Sequence, residues 1–233
     1  MNETLTVYIG YDSADYGQYL ANIVCIRSMS NYAKLNIKSL VKKDLEEQKI
    51  FDRDDSTGST EFTYTRFLVP YLNNYQGYAI FCDSDFLWNC DPSVLLQYID
   101  PTKAISCVQH EYTECPNQTK MDGLKQEWYP RKNWSSLIVF NCAHPSCRKL
   151  TPETVNTQTP KWLHRMEWAE DEEIGSIPHT FNYLVGYYHD HKLPKAIHYT
   201  DGGPWYKTTR NCEFANLWIN YLEDDEKKKL FSI

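Results

Sequence analysis

The stretch that most constrains this chain is Tyr78-Ala79-Ile80-Phe81-Cys82-Asp83-Ser84-Asp85-Phe86-Leu87-Trp88, an apolar run that ends abruptly in two carboxylates two residues apart. It is entered through Gln76-Gly77, and its first five residues are aromatic, β-branched or small and apolar. Such a run predicts a fully buried strand of the kind found in parallel sheets, and so an α/β fold. In a strand, residues i and i+2 share a face about 6.6 Å apart along the chain, so Asp83 and Asp85 are expected to converge while Ser84 points away. Two such anions at ~4 Å repel by about 4 kcal/mol at an effective dielectric of ~20, and a divalent cation is the usual remedy.

Leu5-Thr6-Val7-Tyr8-Ile9-Gly10 reads as the first strand. Tyr16, Leu20, Ile23, Val24 and Arg27 recur at helical spacing. They predict a helix from about Tyr16 to Ser30 with one face on the sheet. The intervening turn, Tyr11-Asp12-Ser13-Ala14-Asp15, lies at the carboxyl end of a strand and the amino end of a helix, where ligands bind in open α/β sheets. A strand near Asn36 to Val41 completes a β-α-β unit. The unit lacks Gly-x-Gly-x-x-Gly, which disfavours a Rossmann dehydrogenase. Asp52 to Thr60 is a loop by composition, and Phe62, Thr65, Arg66, Val69 and Leu72 give a helical pattern that Pro70 kinks. Arg66 then serves either a surface salt bridge or a position near the two carboxylates or a phosphate.

Downstream, Asp91-Pro92 is a helix start. Lys103 to Val108 and Ser136 to Asn141 read as strands, and Pro160 to Trp168 as a helix. The polar stretch from Gln109 to Lys132 is of the length and type that is either functional or disordered. Glu170 to Glu173 and Asp224 to Lys229 are charge runs, ordinarily solvated faces. A last strand, Ala196-Ile197-His198-Tyr199, ends in Thr200-Asp201-Gly202-Gly203-Pro204-Trp205, a turn that lets backbone approach a ligand closely beside a rigid ring. Of the 7 histidines only His198 ends an apolar strand beside a glycine-rich turn, which makes it the imidazole candidate. Two carboxylates suit a hard cation, and an added imidazole tilts the choice from Mg²⁺ towards Mn²⁺.

With 233 residues, 42% of them hydrophobic, a single domain with a substantial core is expected. The 18 Tyr and 7 Trp fit either an aromatic core or a surface that stacks bases or sugars. A net charge of −7 with no basic stripe argues against nucleic acid as a partner. No apolar run approaches the ~18 residues of a membrane span, and no apolar leader precedes Val7, so a soluble, cytoplasmic protein is expected, in the host cytoplasm if viral. The 8 cysteines form no Cys-x-x-Cys pair, and Cys25, Cys82 and Cys107 lie in apolar patterns as buried thiols. Asn-x-Ser/Thr at Asn2, Asn117 and Asn133 carries little weight without a secretory signal. Oligomeric state is not legible.

Taken together, these segments resemble the GT-A glycosyltransferases, most closely the family 8 type with its short bacterial and large-virus relatives. The resemblance covers most of the chain. It rests on Val7 to Tyr16, on Tyr64-Thr65-Arg66, on Asp83-Ser84-Asp85 and on His198 to Trp205, which is similar to the family's His-Phe-x-Gly…Pro-Trp. It implies a single domain over 1–233 with one mixed, mostly parallel central sheet flanked by helices, a nucleotide-binding half over about 1–108 and an acceptor half over about 109–233. It implies a metal site of Asp83, Asp85 and His198, holding Mn²⁺ with Mg²⁺ as the alternative. Nucleotide contacts are implied at Tyr11, Asp12, Tyr16, Arg66, Asp83, Ser84, Gly202 and Gly203. The implied substrates are a UDP-linked sugar donor, such as UDP-glucose, and a saccharide acceptor.

This chain departs from the family in three places. Gly203 stands where a lysine usually precedes Pro-Trp, leaving phosphate neutralisation to the metal, Arg66 or Lys207. Trp134-Ser135-Ser136 replaces the Asn-Ala/Ser-Gly strand entry. Asp171-Glu172-Glu173 matches Asp-Gln-Asp loosely, which makes Asp171 and Glu172 the catalytic candidates. The resemblance implies a retaining mechanism, but these departures fall in the segments that decide between retention and inversion. Two other functions compete. A sugar-nucleotide pyrophosphorylase would need a glycine-rich, basic loop where Tyr11 to Asp15 is acidic. A non-catalytic carbohydrate-binding protein, such as a calcium-dependent lectin, would also use clustered carboxylates.

Overall fold

The structure, a computed structural model, describes residues 4–32, 34–55, 58–111, 119–120, 124–125, 129–189 and 192–232. Along the chain run β1 (Leu5–Gly10), α1 (Tyr16–Met29), β2 (Leu35–Leu40), α2 (Lys42–Glu47), α3 (Val69–Leu72), β3 (Tyr78–Cys82), β4 (Phe86–Trp88) and β5 (Ile105–Cys107). There follow the short strands β6 (Thr119–Lys120) and β7 (Leu124–Lys125), then β8 (Leu137–Asn141), α4 (Pro152–Thr157), α5 (Pro160–His164), β9 (Ile174–Ser176), β10 (Tyr183–Leu184), β11 (Ala196–His198), α6 (Ala215–Ile219) and α7 (Asp224–Ser232).

A six-stranded sheet, ordered β2-β1-β3-β8-β5-β9, forms the centre. Its β1/β2, β1/β3 and β5/β9 pairs are parallel, whereas β8 runs antiparallel to both neighbours. The sheet is therefore mixed and mostly parallel, as expected, and β3 is internal to it. Alternate residues of β3 face opposite layers: Ala79 and Phe81 join one core cluster, Ile80 and Cys82 the other. These four are 0% exposed. Burying side chains the size of Ile80 and Phe81 contributes roughly 1.5–3 kcal/mol each, so β3 is a rigid base for whatever leaves its end.

A second, three-stranded sheet, β10-β11-β4, was not expected from the sequence. It forms because the chain continues past the two carboxylates into β4, which meets β11 antiparallel. A third apolar cluster covers the outer side of α1, where Leu20, Ala21 and Val24 pack with Ile197, Tyr199, Trp205 and Trp218. The helix is thus buried on two sides rather than one. Ile23 and Arg27, expected on its packed face, are only half-buried. Arg27 instead pairs with Glu226 of α7 at 2.6 Å.

Other local expectations shift in type more than in place. The helical pattern after Phe62 becomes a 3-10 turn, Thr65–Leu68, followed by α3, with Pro70 in the first turn of α3, where its missing N–H costs nothing. Pro92–Gln97 is 3-10 rather than α, with Asp91 accepting from the Ser93 N–H at 2.8 Å. Cys25, Cys82 and Cys107 are buried free thiols, as expected. Most of the Gln109 to Lys132 stretch, with Cys115 and Asn117, lies outside the described residues. Among the described residues no helix is long and apolar enough to cross a membrane.

Candidate active site

The site grows from the carboxyl edge of the parallel pair β1/β3. Ile9 stands opposite Cys82, so the Tyr11–Asp15 turn and the two carboxylates leave the sheet side by side. Asp83-Ser84-Asp85 is not extended strand: β3 stops at Cys82, and these three residues form the turn into β4. The expected convergence of Asp83 and Asp85 therefore comes from a turn and not from strand alternation. Backbone hydrogen bonds fix that turn at both ends. The Asp83 N–H donates to the Ser136 carbonyl at 2.9 Å, and the Tyr199 N–H donates to the Asp85 carbonyl at 3.0 Å.

The β4/β11 register puts His198 opposite Phe86, one residue past Asp85. The imidazole stacks on the Phe86 ring, centroids 4.5 Å apart, and is 1% exposed. Ligand atoms of Asp83, Asp85 and His198 all lie within 4.8 Å of one another. His198 Nε2 is 3.3 Å from Asp85 Oδ1, a buried oxygen that accepts no hydrogen bond among the described residues. A buried carboxylate oxygen left without a donor, facing an imidazole nitrogen and a second carboxylate, fits a divalent cation with oxygen and nitrogen ligands. Behind the ring, His198 Nδ1 lies 2.8 Å from Oδ1 of Asn182, which is fully buried.

Arg66 is held at the carboxylates rather than in a surface salt bridge. Its Nη1 donates to Asp83 Oδ1 at 2.7 Å and to the Ser135 carbonyl at 2.9 Å, and its Nε donates to the Phe62 and Thr63 carbonyls, each at 3.2 Å. Beside this pair opens a cavity of about 380 Å³ whose lining includes Tyr64, Arg66, Asp83, Asn133, Ser135, Lys161, His164 and Arg165. His164 Nδ1 is 3.0 Å from Ser135 Oγ, and burial, aided by the Arg66 guanidinium, pulls the His164 pKa down to about 3. His164 and Asn182 are site residues that sequence reasoning missed. The polar Asn182 in the otherwise apolar run Phe181 to Val185 is the signal that was there to find.

At the corner after β1, Asp12 is 3% exposed and its Oδ1 accepts from the Ala14 N–H at 2.9 Å; burial raises its carboxyl above the usual range. Tyr11 beside it is half-buried. Asp15 caps α1 by accepting from the Gln18 N–H at 2.9 Å. The loop after β11 leans on this corner. Tyr206 Oη accepts from Gln18 Nε2 at 2.8 Å and donates to Asp15 Oδ2 at 3.2 Å. Gly202 has a φ of 111°, and a Cβ on Gly203 would lie 2.2 Å from the Trp205 ring. Gly202 is thus demanded by its backbone conformation and Gly203 by the ring packed against it. Tyr16 meets Lys229 of α7, whose Nζ sits 3.6 Å from its ring centroid. Ser84 is buried with its hydroxyl turned from solvent.

Asp171 and Glu172 are not brought to this corner. They lie exposed on a 3-10 turn, Asp171–Glu173, leading into β9. Asp171 pairs with Arg131 and helps line a smaller cavity of about 180 Å³. Arg165 lines both cavities. Glu173, in contrast, is anchored, accepting from Ser146 Oγ at 2.6 Å and the Glu170 N–H at 3.0 Å.

Several solved structures similar to this fold are glycosyltransferases. The bifunctional glycosyltransferase WbbM matches with a TM-score of 0.67 at 15% identity, covering 100% of this chain and 52% of that one. GlyE of Streptococcus pneumoniae matches at 0.59 and 14% identity, covering 98% and 63%. The galactosyltransferase LgtC, solved with donor and acceptor sugar analogues, matches at 0.57 and 12% identity, covering 97% and 100%. The chain thus spans about half of WbbM and less than two thirds of GlyE. The fold is that of the GT-A glycosyltransferases. No family model matches the sequence. Over 232 residues the chain is 45% identical to Protein CDI of Arabidopsis thaliana, covering 95% of this chain and 87% of that protein, and it belongs to the family of Protein CDI.

Proposed function

We propose that this protein is a metal-dependent glycosyltransferase that moves a sugar from a nucleotide-sugar donor, UDP-linked as in UDP-glucose, to a hydroxyl of a saccharide acceptor. The observation that carries the reading is the convergence of Asp83, Asp85 and His198 within 4.8 Å at the edge of β3, with the Arg66 cavity adjoining. Asp83, Asp85 and His198 hold the cation, Mn²⁺ in preference to Mg²⁺. Bound there, it supplies Lewis-acid stabilisation of a diphosphate leaving group. Because Gly203 occupies the place of the family's lysine and Arg66 is committed to Asp83, this three-ligand site carries most of that task.

The other roles follow from position. The turn from Tyr11 to Asp15, beside the carboxylates at the carboxyl edge, receives the nucleoside, and the Gly202-Gly203 turn faces the diphosphate. The cavity beside Arg66 takes the donor sugar, whose hydroxyls meet Ser135, Asn133 and the neutral His164. The nucleotide-binding half is then about 1–108 and the acceptor half about 109–233. Asp171 and Glu172, across Arg165 from the sugar cavity, serve the acceptor side. Retention of anomeric configuration is the stereochemistry this reading adopts.

A thermal-shift screen of nucleotides with and without Mn²⁺ tests the reading. Binding to the native state adds about 2.7 kcal/mol at a hundred times the dissociation constant, so UDP with Mn²⁺ is expected to raise the unfolding midpoint clearly. If no nucleotide shifts the midpoint while free sugar with Ca²⁺ does, the protein is a lectin.

A further inference from the structure

The hydrogen bonds behind His198 run in one consistent direction. Ser136 Oγ lies 2.7 Å from the Asn133 carbonyl, which can only accept, so the Ser136 hydroxyl spends its single hydrogen there. Towards Asn182, 2.9 Å away, the same hydroxyl must accept, so the Asn182 atom facing it is the amide nitrogen. The amide oxygen of Asn182 therefore faces His198 Nδ1 at 2.8 Å, and Nδ1 must carry a proton. Asn182, His198 and Ser136 are 0%, 1% and 2% exposed, so solvent offers no alternative partner. A neutral ring with its proton on Nδ1 has its lone pair on Nε2, the atom 3.3 Å from Asp85.

Ser136 also works on the opposite side of the site. Its carbonyl accepts the Asp83 N–H at 2.9 Å, while its hydroxyl orients Asn182. One residue at the entry of β8 thus ties down the carboxylate turn and, through Asn182, the imidazole. We infer that Asn182 and Ser136 are positioning residues that lock His198 in the Nδ1–H tautomer, so that Nε2 is presented with Asp83 and Asp85 to a divalent cation. The inference rests on the metal reading for its purpose, but the tautomer is a property of the metal-free protein.

Two measurements test it separately. In ¹⁵N-resolved NMR of the metal-free wild-type protein, at alkaline pH where an imidazole is neutral, the His198 proton is expected on Nδ1. In Mn²⁺ titrations followed by electron paramagnetic resonance, Asn182→Leu, an apolar side chain of similar size, is expected to weaken binding about 10–100-fold, the usual effect of removing such a supporting contact. Asn182→Asp still accepts from Nδ1 and is expected to retain binding. A ring proton on Nε2 in the wild type overturns the inference. So does an Asn182→Leu protein that keeps the wild-type unfolding midpoint and binds Mn²⁺ as tightly. Should Asn182→Leu fail to fold, Ser136→Ala is expected to weaken Mn²⁺ binding, and unchanged binding there overturns the role of Ser136. A wild-type protein that binds no Mn²⁺ removes the metal reading, and the NMR result still decides the tautomer.

Discussion

At the scale of single residues, the site is held by charges and polar groups that have left water. Arg66 and Asp83 form an ion pair at 2.7 Å with side chains 7% and 15% exposed. Removing one member of such a pair leaves the other charge desolvated, so Arg66→Met is expected to cost roughly 3 kcal/mol, measured by urea unfolding. Saturating Mn²⁺ should offset part of that loss, since a cation would again neutralise Asp83. The two buried histidines give a second prediction. Burial holds the pKa of both His110 and His164 at about 3, against 6.5 for an unperturbed imidazole. Each is neutral when folded and takes a proton on unfolding, so their contribution is fully present above pH ~6.5 and lost as pH falls towards 3. By pH 5 the protein should have lost about 2 kcal/mol for each, which urea titrations across that range would read; a flat profile from pH ~7 to 5 would contradict the burial of both rings. Legibility at this scale divides by chemistry. Asp83 and Asp85 announce themselves as paired carboxylates closing a buried apolar strand, and His198 as the imidazole that ends an apolar strand beside a glycine-rich turn, whereas Arg66 was legible only as one of two alternatives. Asn182 and His164 do not, because a buried polar residue means something only once its partner is known.

At the scale of elements, the sequence placed most pieces correctly and mistook the nature of several. The strands β1, β3 and β8 and the helix α1 lie where periodicity put them. Direction was less legible: a strand buried on both faces reads the same whether its neighbour runs parallel or antiparallel, and β3 has one of each. Strand alternation extended one turn too far, past Cys82 to Asp83 and Asp85, and only pairing with β11 shows that β4 belongs to another sheet. That pairing is what carries His198 across more than a hundred residues of chain to Asp85. The loop beyond β11 is tightly specified, with Trp205 wedged between Gly203 and Gly17, whose added Cβ atoms would lie 2.2 and 2.6 Å from its ring. Gly203→Ala is therefore expected to cost about 1–3 kcal/mol through overpacking and to weaken nucleotide binding as the turn shifts. Calorimetry with UDP and a thermal melt would show both effects. An unaltered melt would mean that the ring moves aside freely.

At the scale of the whole molecule, the GT-A fold gathers three stretches distant in sequence onto one edge: the turn after β1, the carboxylates after β3 and the histidine of β11. Composition bounded this outcome but did not choose it. The 42% hydrophobic content fills three apolar clusters, one on each face of the main sheet and one outside α1, and the aromatic residues are spent largely on them. The central claim is that this edge uses a bound cation to break the bond between a nucleoside diphosphate and a sugar. Its most direct test is release of UDP from UDP-glucose and UDP-galactose by the purified protein, with and without Mn²⁺, in the wild type and in Asp85→Asn. The account predicts slow UDP release that requires Mn²⁺ and is abolished in Asp85→Asn. Absence of both binding and turnover across a panel of nucleotide sugars with Mn²⁺, or release that is indifferent to Asp85, would contradict it.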